Sequence, residues 1–532
     1  MSRVRRGSAI LITVVVIFSV IGFVLSHTVF ADMKQNMESQ LKKLVNVARI
    51  AQLYYVEDVD WNAATEGAIT GMLEKLDPHS VYIPPKKVEE NKESFSGEYE
   101  GIGIQFDVLE GYITVISPIP GSPSDQLGLS AGDRIVKING KSAIGITSEE
   151  VPKQLRGPKG TTVDVTILRE GVEEPLEFTI TRDVIPISTI TAGFMADDST
   201  GYVAVNRFAA ITAKELEEEL NKLETQNMKR LILDLRWNSG GYLHEAVKVA
   251  GKFIKGRKLI VYTKDRSQRV DEEYFSDQFG RGTQRDYPLI ILINRGSASA
   301  SEIVAGAIQD HDRGLIVGEN SFGKGLVQKE FPLQDGSALR ITTARYYTPS
   351  GRGIQRDYKG KNIEEYYEDI PDSSWTTEDS LKNRPLFHTD RGRPVYGGGG
   401  IQPDVYVPST KFSKSPELTN KILQKRLFFE YANAYVNRHP EVKTSLRQFQ
   451  DNFHVNAALF ADFKKFCRDK KIDFSDADFD KDAEFIEVRL KAEMAQKLWD
   501  RNAYYFVILN NDIQFRKALK LFDEAKRIAA LE

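Results

Sequence analysis

Three short segments carry residue types that together would hydrolyse an amide or ester bond. In Asn294-Arg-Gly-Ser-Ala-Ser299-Ala300-Ser-Glu302, small residues follow an apolar run and open a helical pattern. A serine there leaves room for a substrate backbone, and the free N–H groups of a helix start favour the negative oxygen of a tetrahedral intermediate. Ser299-Ala-Ser-Glu302 also spells a capping box, so the segment alone reads as readily as a helix cap. Gly318-Glu-Asn-Ser-Phe-Gly323-Lys324-Gly325 approaches a phosphate loop, but Gly325 stands where the magnesium-binding Ser or Thr belongs, and no helix is signalled after it. What remains is a lysine in a tight glycine turn, either solvated or enclosed. Enclosed by apolar neighbours, its amine loses basicity and becomes able to accept a serine proton. Leu233-Asp234-Leu-Arg236-Trp-Asn-Ser-Gly240-Gly241 breaks a buried strand into paired glycines, a turn that either offers a backbone N–H to an oxyanion or simply links strand to helix.

The elements around these segments follow α/β grammar. The patterns predict strands over Gly201–Phe208, Arg230–Leu235, Leu259–Thr263, Leu289–Asn294 and Leu315–Val317. Between them fall helices over Thr212–Gln226, Tyr242–Ile254 and Ser299–Gln309, so the core, 186–410, is a sheet with helices on its faces. It carries a polar insertion over 356–400. Before it, 96–185 is a small, mostly β domain with short strands at Gly101–Ile104, Tyr112–Ile116, Arg134–Ile138 and Val163–Leu168. Residues 32–95 are helical, with Leu41, Leu44, Val45, Val47 and Ile50 at helical spacing, a face that packs on the body or extends an anchor. From 411 to 532 the chain is charged, amphipathic and largely helical.

With their chain order in view, Asn294–Asp310, Gly318–Gln328 and Leu233–Gly241 resemble the core motifs of the carboxy-terminal processing (tail-specific) proteases, over roughly Leu76–Val407. The resemblance implies Ser299 as nucleophile, Lys324 as general base, Gln328 as the residue orienting the lysine, and Gly240 and Ala300 as oxyanion-hole donors. That family commonly has Asn-Pro-Gly-Gly where this chain has Asn238-Ser239-Gly240-Gly241. Leu76-Asp-Pro-His-Ser80 and Thr343–Gly351 are further framework of the family, without chemistry evident in the residues. Gly101-Ile102-Gly103-Ile104 resembles the carboxylate-binding loop of a PDZ domain, which adds the ligand's tail as a strand. Arg156 matches an edge motif that would couple tail binding to the active site. The implied activity is a serine endopeptidase that recognises C-terminal tails of exported proteins and cleaves upstream of them, with no metal, nucleotide or other cofactor.

Composition limits the alternatives. Seventy-two basic against 75 acidic residues give a net charge of −3, no field for a nucleic acid. A single cysteine, Cys467, excludes an intramolecular disulfide and a cysteine zinc cluster. Arg3, Arg5 and Arg6 precede an uncharged apolar run, Gly7–Ala31, which predicts a single-pass anchor in the inner membrane with the rest on the periplasmic side, or alternatively a cleaved signal peptide. Two rival functions stay open: a Ser/His/Asp hydrolase using His244 or His311 with Asp234 or Asp312, and a catalytically silent PDZ scaffold. The helical 411–532 region would shape a substrate tunnel, bind an adaptor or pair subunits.

Overall fold

Uninterrupted apolar runs become the centre of a parallel sheet, because a strand covered on both faces has no solvent side to mark with polar residues. Leu231–Leu233, Leu289–Ile293 and Leu315–Val317 are fully buried in this way. The computed structural model describes residues 37–280, 283–361, 363–368, 382–409 and 413–531. In it these runs form the middle of a six-stranded sheet ordered Ile190–Met195, Thr200–Val205, Arg230–Asp234, Leu289–Ile293, Leu315–Gly318 and Val405–Tyr406. The first pair is antiparallel and the others parallel.

Alternate residues of those strands face opposite sides. Leu231, Leu233 and Ile291 join one core with the helices Thr212–Thr225, Leu243–Gly251 and Ala300–Asp310. Ile232, Ile290 and Leu292 join another with Leu509, Phe515, Phe522 and Ile528. The last helices of the chain therefore cover the second face of the sheet. A second, antiparallel sheet contains Leu259–Lys264, Val270–Phe275, Leu326–Pro332, Ala338–Tyr347 and the short Val81–Ile83.

The small β domain is an antiparallel sheet ordered Ile104–Leu109, Tyr112–Pro118, Arg134–Ile138, Thr162–Leu168 and Leu176–Thr181, with its own apolar core. Gly101–Ile104, expected as one strand, is split. Gly101 ends a strand paired with Asp183–Pro186, Gly103 turns at φ +80°, and Ile104 begins the next strand. A Cβ on Gly103 would lie 2.2 Å from that of Ser122, so the loop admits no other residue there. Residues 416–508 form a helical region with a separate core rich in phenylalanine.

The chain divides into two compact units, 1–76 and 77–532. In the first, helices cover 37–54 and Trp61–Leu73, the latter capped by the Asp60 carboxylate. Leu41, Leu44, Val45, Val47 and Ile50 are 50–65% exposed. The expected membrane span, 7–31, lies outside the described residues, and among those described no helix is long and apolar enough to cross a membrane.

Candidate active site

Ser299 stands one residue before the Ala300–Asp310 helix, beyond the carboxyl end of the Leu289–Ile293 strand, where open α/β sheets place their ligands. Its backbone is at φ +54°, ψ −113°. Such a conformation costs an L-residue ~1–3 kcal/mol and persists only where its surroundings dictate it. Here they do. The Ser299 N–H donates to Glu302 Oε2 at 2.8 Å, and the Ser299 carbonyl accepts the Glu302 N–H at 2.8 Å and the Tyr346 hydroxyl at 3.1 Å. The predicted cap is thus partly real, and it closes through the serine's backbone.

Glu302 is the hub of the site and was legible in the sequence only as a capping residue. Its carboxylate is fully buried and takes four donors: Ser321 Oγ at 2.5 Å, Gly323 N at 2.7 Å, Lys324 N at 2.9 Å and Ser299 N. Burial pushes its pKa up and those hydrogen bonds pull it back. Tyr346 repeats the tie from the other side, donating to the Lys324 carbonyl at 2.6 Å as well as to Ser299. One carboxylate and one phenol therefore hold the serine and lysine backbones together.

The Lys324 ammonium donates to Gln328 Oε1 at 2.8 Å. Burial, helped by the positive charge of Arg340, lowers its pKa to about 8, against the opposing pull of Glu302 and Asp77. Gln328 is fixed in turn by its own amide nitrogen, which donates to the His79 carbonyl. The His79 backbone is set by Asp77, whose carboxylate accepts the N–H groups of His79 (2.8 Å) and Ser80 (3.0 Å) and the Ser80 hydroxyl (2.7 Å). Burial lowers the His79 imidazole to about 4, so it is neutral at physiological pH and acts through its carbonyl. The Asp-Pro-His-Ser segment, silent in the sequence, is the support on which Gln328 rests.

The polar insertion is less polar in space than in sequence. Tyr366 is fully buried, edge-on to His79 (5.4 Å) and Phe322 (5.8 Å), and the Arg356 guanidinium lies over the Phe322 and Tyr366 rings at 4.6 and 4.3 Å. These groups wall the lysine loop, and Gly323 O is bonded by the Arg356 N–H at 2.9 Å.

Gly240, at φ +103°, backs directly onto the serine: a Cβ there would sit 2.7 Å from that of Ser299. Its N–H donates to Asn238 Oδ1 at 2.9 Å, so Gly240 supplies room beside Ser299 and its own donor is already engaged. Asn238 also ties the turn to the serine loop, its carbonyl accepting from Ala298 N at 3.0 Å and Ser301 Oγ at 2.8 Å. The Ala300 N–H, first in its helix, has no intrahelical carbonyl to reach.

Among the described residues, neither histidine of the rival hydrolase is hydrogen-bonded to Ser299. His311 ends the helix that Ser299 begins, roughly 16 Å along its axis, and bonds Asp390 and the Leu259 carbonyl. His244 stacks on Tyr242 at 5.0 Å. Asp234 is engaged by Arg236 and Tyr202, and Asp312 by Arg393.

At the edge of the β domain, Arg156 pairs with Glu93 at 2.5 Å and lies 4.6 Å from the Tyr99 ring centre. Glu93 belongs to the Pro85–Ser96 helix, whose Phe95 ring packs on Tyr242 at 5.2 Å, the residue after Gly241. Arg156 is thereby connected by packed groups to the glycine turn. In the carboxylate-loop candidate, Ile102 and Ile104 turn into the domain core, the Ile102 carbonyl accepts Ser124 N at 3.0 Å, and the Gly103 carbonyl accepts Ser122 Oγ and Ile119 N, both at 2.9 Å.

Family comparison agrees with this architecture. Residues 199–364 match peptidase family S41, 101–180 a PDZ domain, 25–86 the activating protease CtpB N-terminal domain and 418–500 a family of unknown function. A carboxy-terminal-processing protease of Bartonella bacilliformis is 41% identical over 337 residues, 62% of this chain and 76% of the relative. Carboxy-terminal processing protease CtpB of Bacillus subtilis is 33% identical, over 61% of this chain and 68% of its own. Among solved structures, a photosystem II D1 C-terminal processing protease is 29% identical and covers 68% of this chain and 85% of its own at a TM-score of 0.33. A PDZ domain joined to an S41 core defines a serine-type peptidase. The chain belongs to the carboxy-terminal processing proteases.

Proposed function

We propose that the protein is a Ser/Lys endopeptidase that captures the free C-termini of exported proteins on its PDZ domain and cleaves upstream of them. The observation that carries this reading is the Lys324 amine. It is partly desolvated, held by Gln328, and mounted beside the strained Ser299 on the shared Glu302 carboxylate. Ser299 Oγ attacks the peptide carbonyl carbon while neutral Lys324 takes its proton. The negative oxygen rests on the Ala300 N–H, joined by Gly240 when Asn238 Oδ1 releases it. Lys324 returns the proton to the leaving amine, and water then cleaves the acyl-enzyme with the lysine again acting as base. No metal or nucleotide takes part.

In this reading the Gly101–Ile104 loop binds the tail carboxylate, and Arg156, through Glu93 and the Phe95–Tyr242 contact, passes its occupancy to the glycine turn. The 7–31 segment anchors the enzyme in the inner membrane, its catalytic part in the periplasm. The test is cleavage of an unfolded reporter with an apolar free C-terminus. Loss in both Ser299→Ala and Lys324→Ala, with slowing on tail amidation, supports the dyad and tail capture together. Cleavage that persists without Lys324 sinks the mechanism, and no cleavage by the unsubstituted protein points to the silent scaffold.

A further inference from the structure

Above the PDZ loop lies a cavity of about 1260 Å³ that reaches neither Ser299 nor Lys324. One wall is the PDZ domain: the loop residues Ile102 and Gly103, then Ile104, Gln105 and Phe106 of the Ile104–Leu109 strand. Among the described residues that strand pairs only with Tyr112–Pro118, which leaves its other edge as the template on which an extended peptide adds as a strand. The opposite wall belongs to the C-terminal helical region, including Arg426, Arg489, Glu493, Lys497 and Trp499. Polar contacts between described residues tie this wall to the PDZ domain. Arg426 meets Asp107 on the strand itself at 3.0 Å, Lys470 meets Glu110 at 2.8 Å, and Lys497 Nζ donates to the Ala131 carbonyl at 3.1 Å.

A tail laid along that edge is therefore enclosed by the helices as well as by the PDZ domain. The enclosure is basic in a chain of net charge −3: Arg156, Arg207, Arg426, Arg489, Lys497 and Arg501 line it, against Asp125, Glu493 and Asp500. Arg156 and Arg426 are neutralised by Glu93 and Asp107. Arg489 pairs with Glu493 only at 3.6 Å, beyond hydrogen-bond distance, and its buried Nε has no hydrogen-bond partner. Among the described residues Lys497 donates only to the Ala131 carbonyl, with the Asp133 and Glu170 charges acting on it from farther off.

We propose that the C-terminal helical region is the second wall of the tail-binding groove, and that Arg489 and Lys497 select tails bearing acidic side chains a few residues upstream of the free carboxylate. Side chains of an added strand alternate between its two faces, so upstream residues present every second side chain to the helices. The inference rests on tail capture by the PDZ loop, and its test separates the two. Short fluorescent peptides ending in three apolar residues carry Asp-Asp or Lys-Lys just upstream, each with a free or an amidated C-terminus. Their binding to full-length Ser299→Ala protein is read by anisotropy. The expected result is that the acidic tail binds about tenfold or more tightly than the basic one, as befits cations gaining a hydrogen-bonded carboxylate. Amidation weakens both. Arg489→Gln with Lys497→Gln abolishes the preference, and Arg489→Lys with Lys497 intact retains it. Equal binding of the two free tails, still weakened by amidation, overturns this inference and leaves tail capture standing. Insensitivity to amidation, or no binding of any tail, overturns both. The preference is measured first on protein with both side chains intact, so failure of a variant to fold does not spare the proposal.

Discussion

Burial lowers the basicity of Lys324, and in the proposed mechanism that fixes the pH range in which the enzyme works. With a pKa near 8 the amine is about one-tenth neutral at pH 7. The kcat/KM for a tail-bearing reporter should therefore rise about tenfold per unit below pH 8 and level off above it. A profile flat from pH 6 to 9 would remove Lys324 from the role. Lys324→Ala should lose ~10²–10⁴-fold in kcat. Gln328 acts on the lysine and not on substrate, so Gln328→Ala should lower kcat while leaving KM nearly unchanged. His79 is fully neutral across that range, so no second inflection near its ordinary pKa is expected.

At the scale of elements, the strand-to-helix junction stores strain that the nucleophile requires. Gly tolerates φ +54° at less cost than Ala does, so Ser299→Gly should melt higher than Ser299→Ala by ~1 kcal/mol, both being inactive. Equal melting points would show that the junction is unstrained. Glu302 holds that junction to the lysine loop through four donors, two on each oxygen. Glu302→Gln keeps the shape but turns an NH2 towards N–H groups, and should cost ~2–4 kcal/mol with loss of activity. Gly240→Ala places a methyl against the serine and should abolish cleavage while leaving the fold intact, checked by activity beside circular dichroism.

Across the molecule, contacts run from Arg156 through Glu93 and the helix bearing Phe95 to Tyr242, and the proposed function uses them to join tail binding to the glycine turn. The Arg156–Glu93 pair is about 42% exposed, so its contribution to stability is small. Arg156→Ala should leave the melting temperature nearly unchanged. It should narrow the ratio of cleavage rates for free and amidated tails; an unchanged ratio would confine Arg156 to the surface. The C-terminal helices also serve two places at once, one set covering the second face of the catalytic sheet and another walling the PDZ groove. A region of this kind behaves as part of the enzyme and not as an appendage, which the charged, amphipathic sequence left open.

The sequence by itself marked the central strands and helices, within a residue or two at Thr212–Thr225, Arg230–Asp234 and Ala300–Asp310, because burial leaves a readable period, but it missed the edge strands Ile190–Met195 and Val405–Tyr406 and placed Leu259–Thr263, which pairs in the second sheet, with them. It marked the serine, lysine and glycine turn, because small and glycine residues are what close approach demands. The tertiary structure alone decided what holds the lysine: the Glu302 carboxylate, the Tyr346 hydroxyl and the His79 carbonyl act on Lys324 or Gln328 from 22 to 249 residues away. It also settled that Gly240's N–H is engaged, that Tyr366 of a polar insertion is buried beside the lysine loop, and that the last helices close the sheet. Such partners leave no local period, since a hydrogen bond across the fold constrains one residue at each end and nothing between.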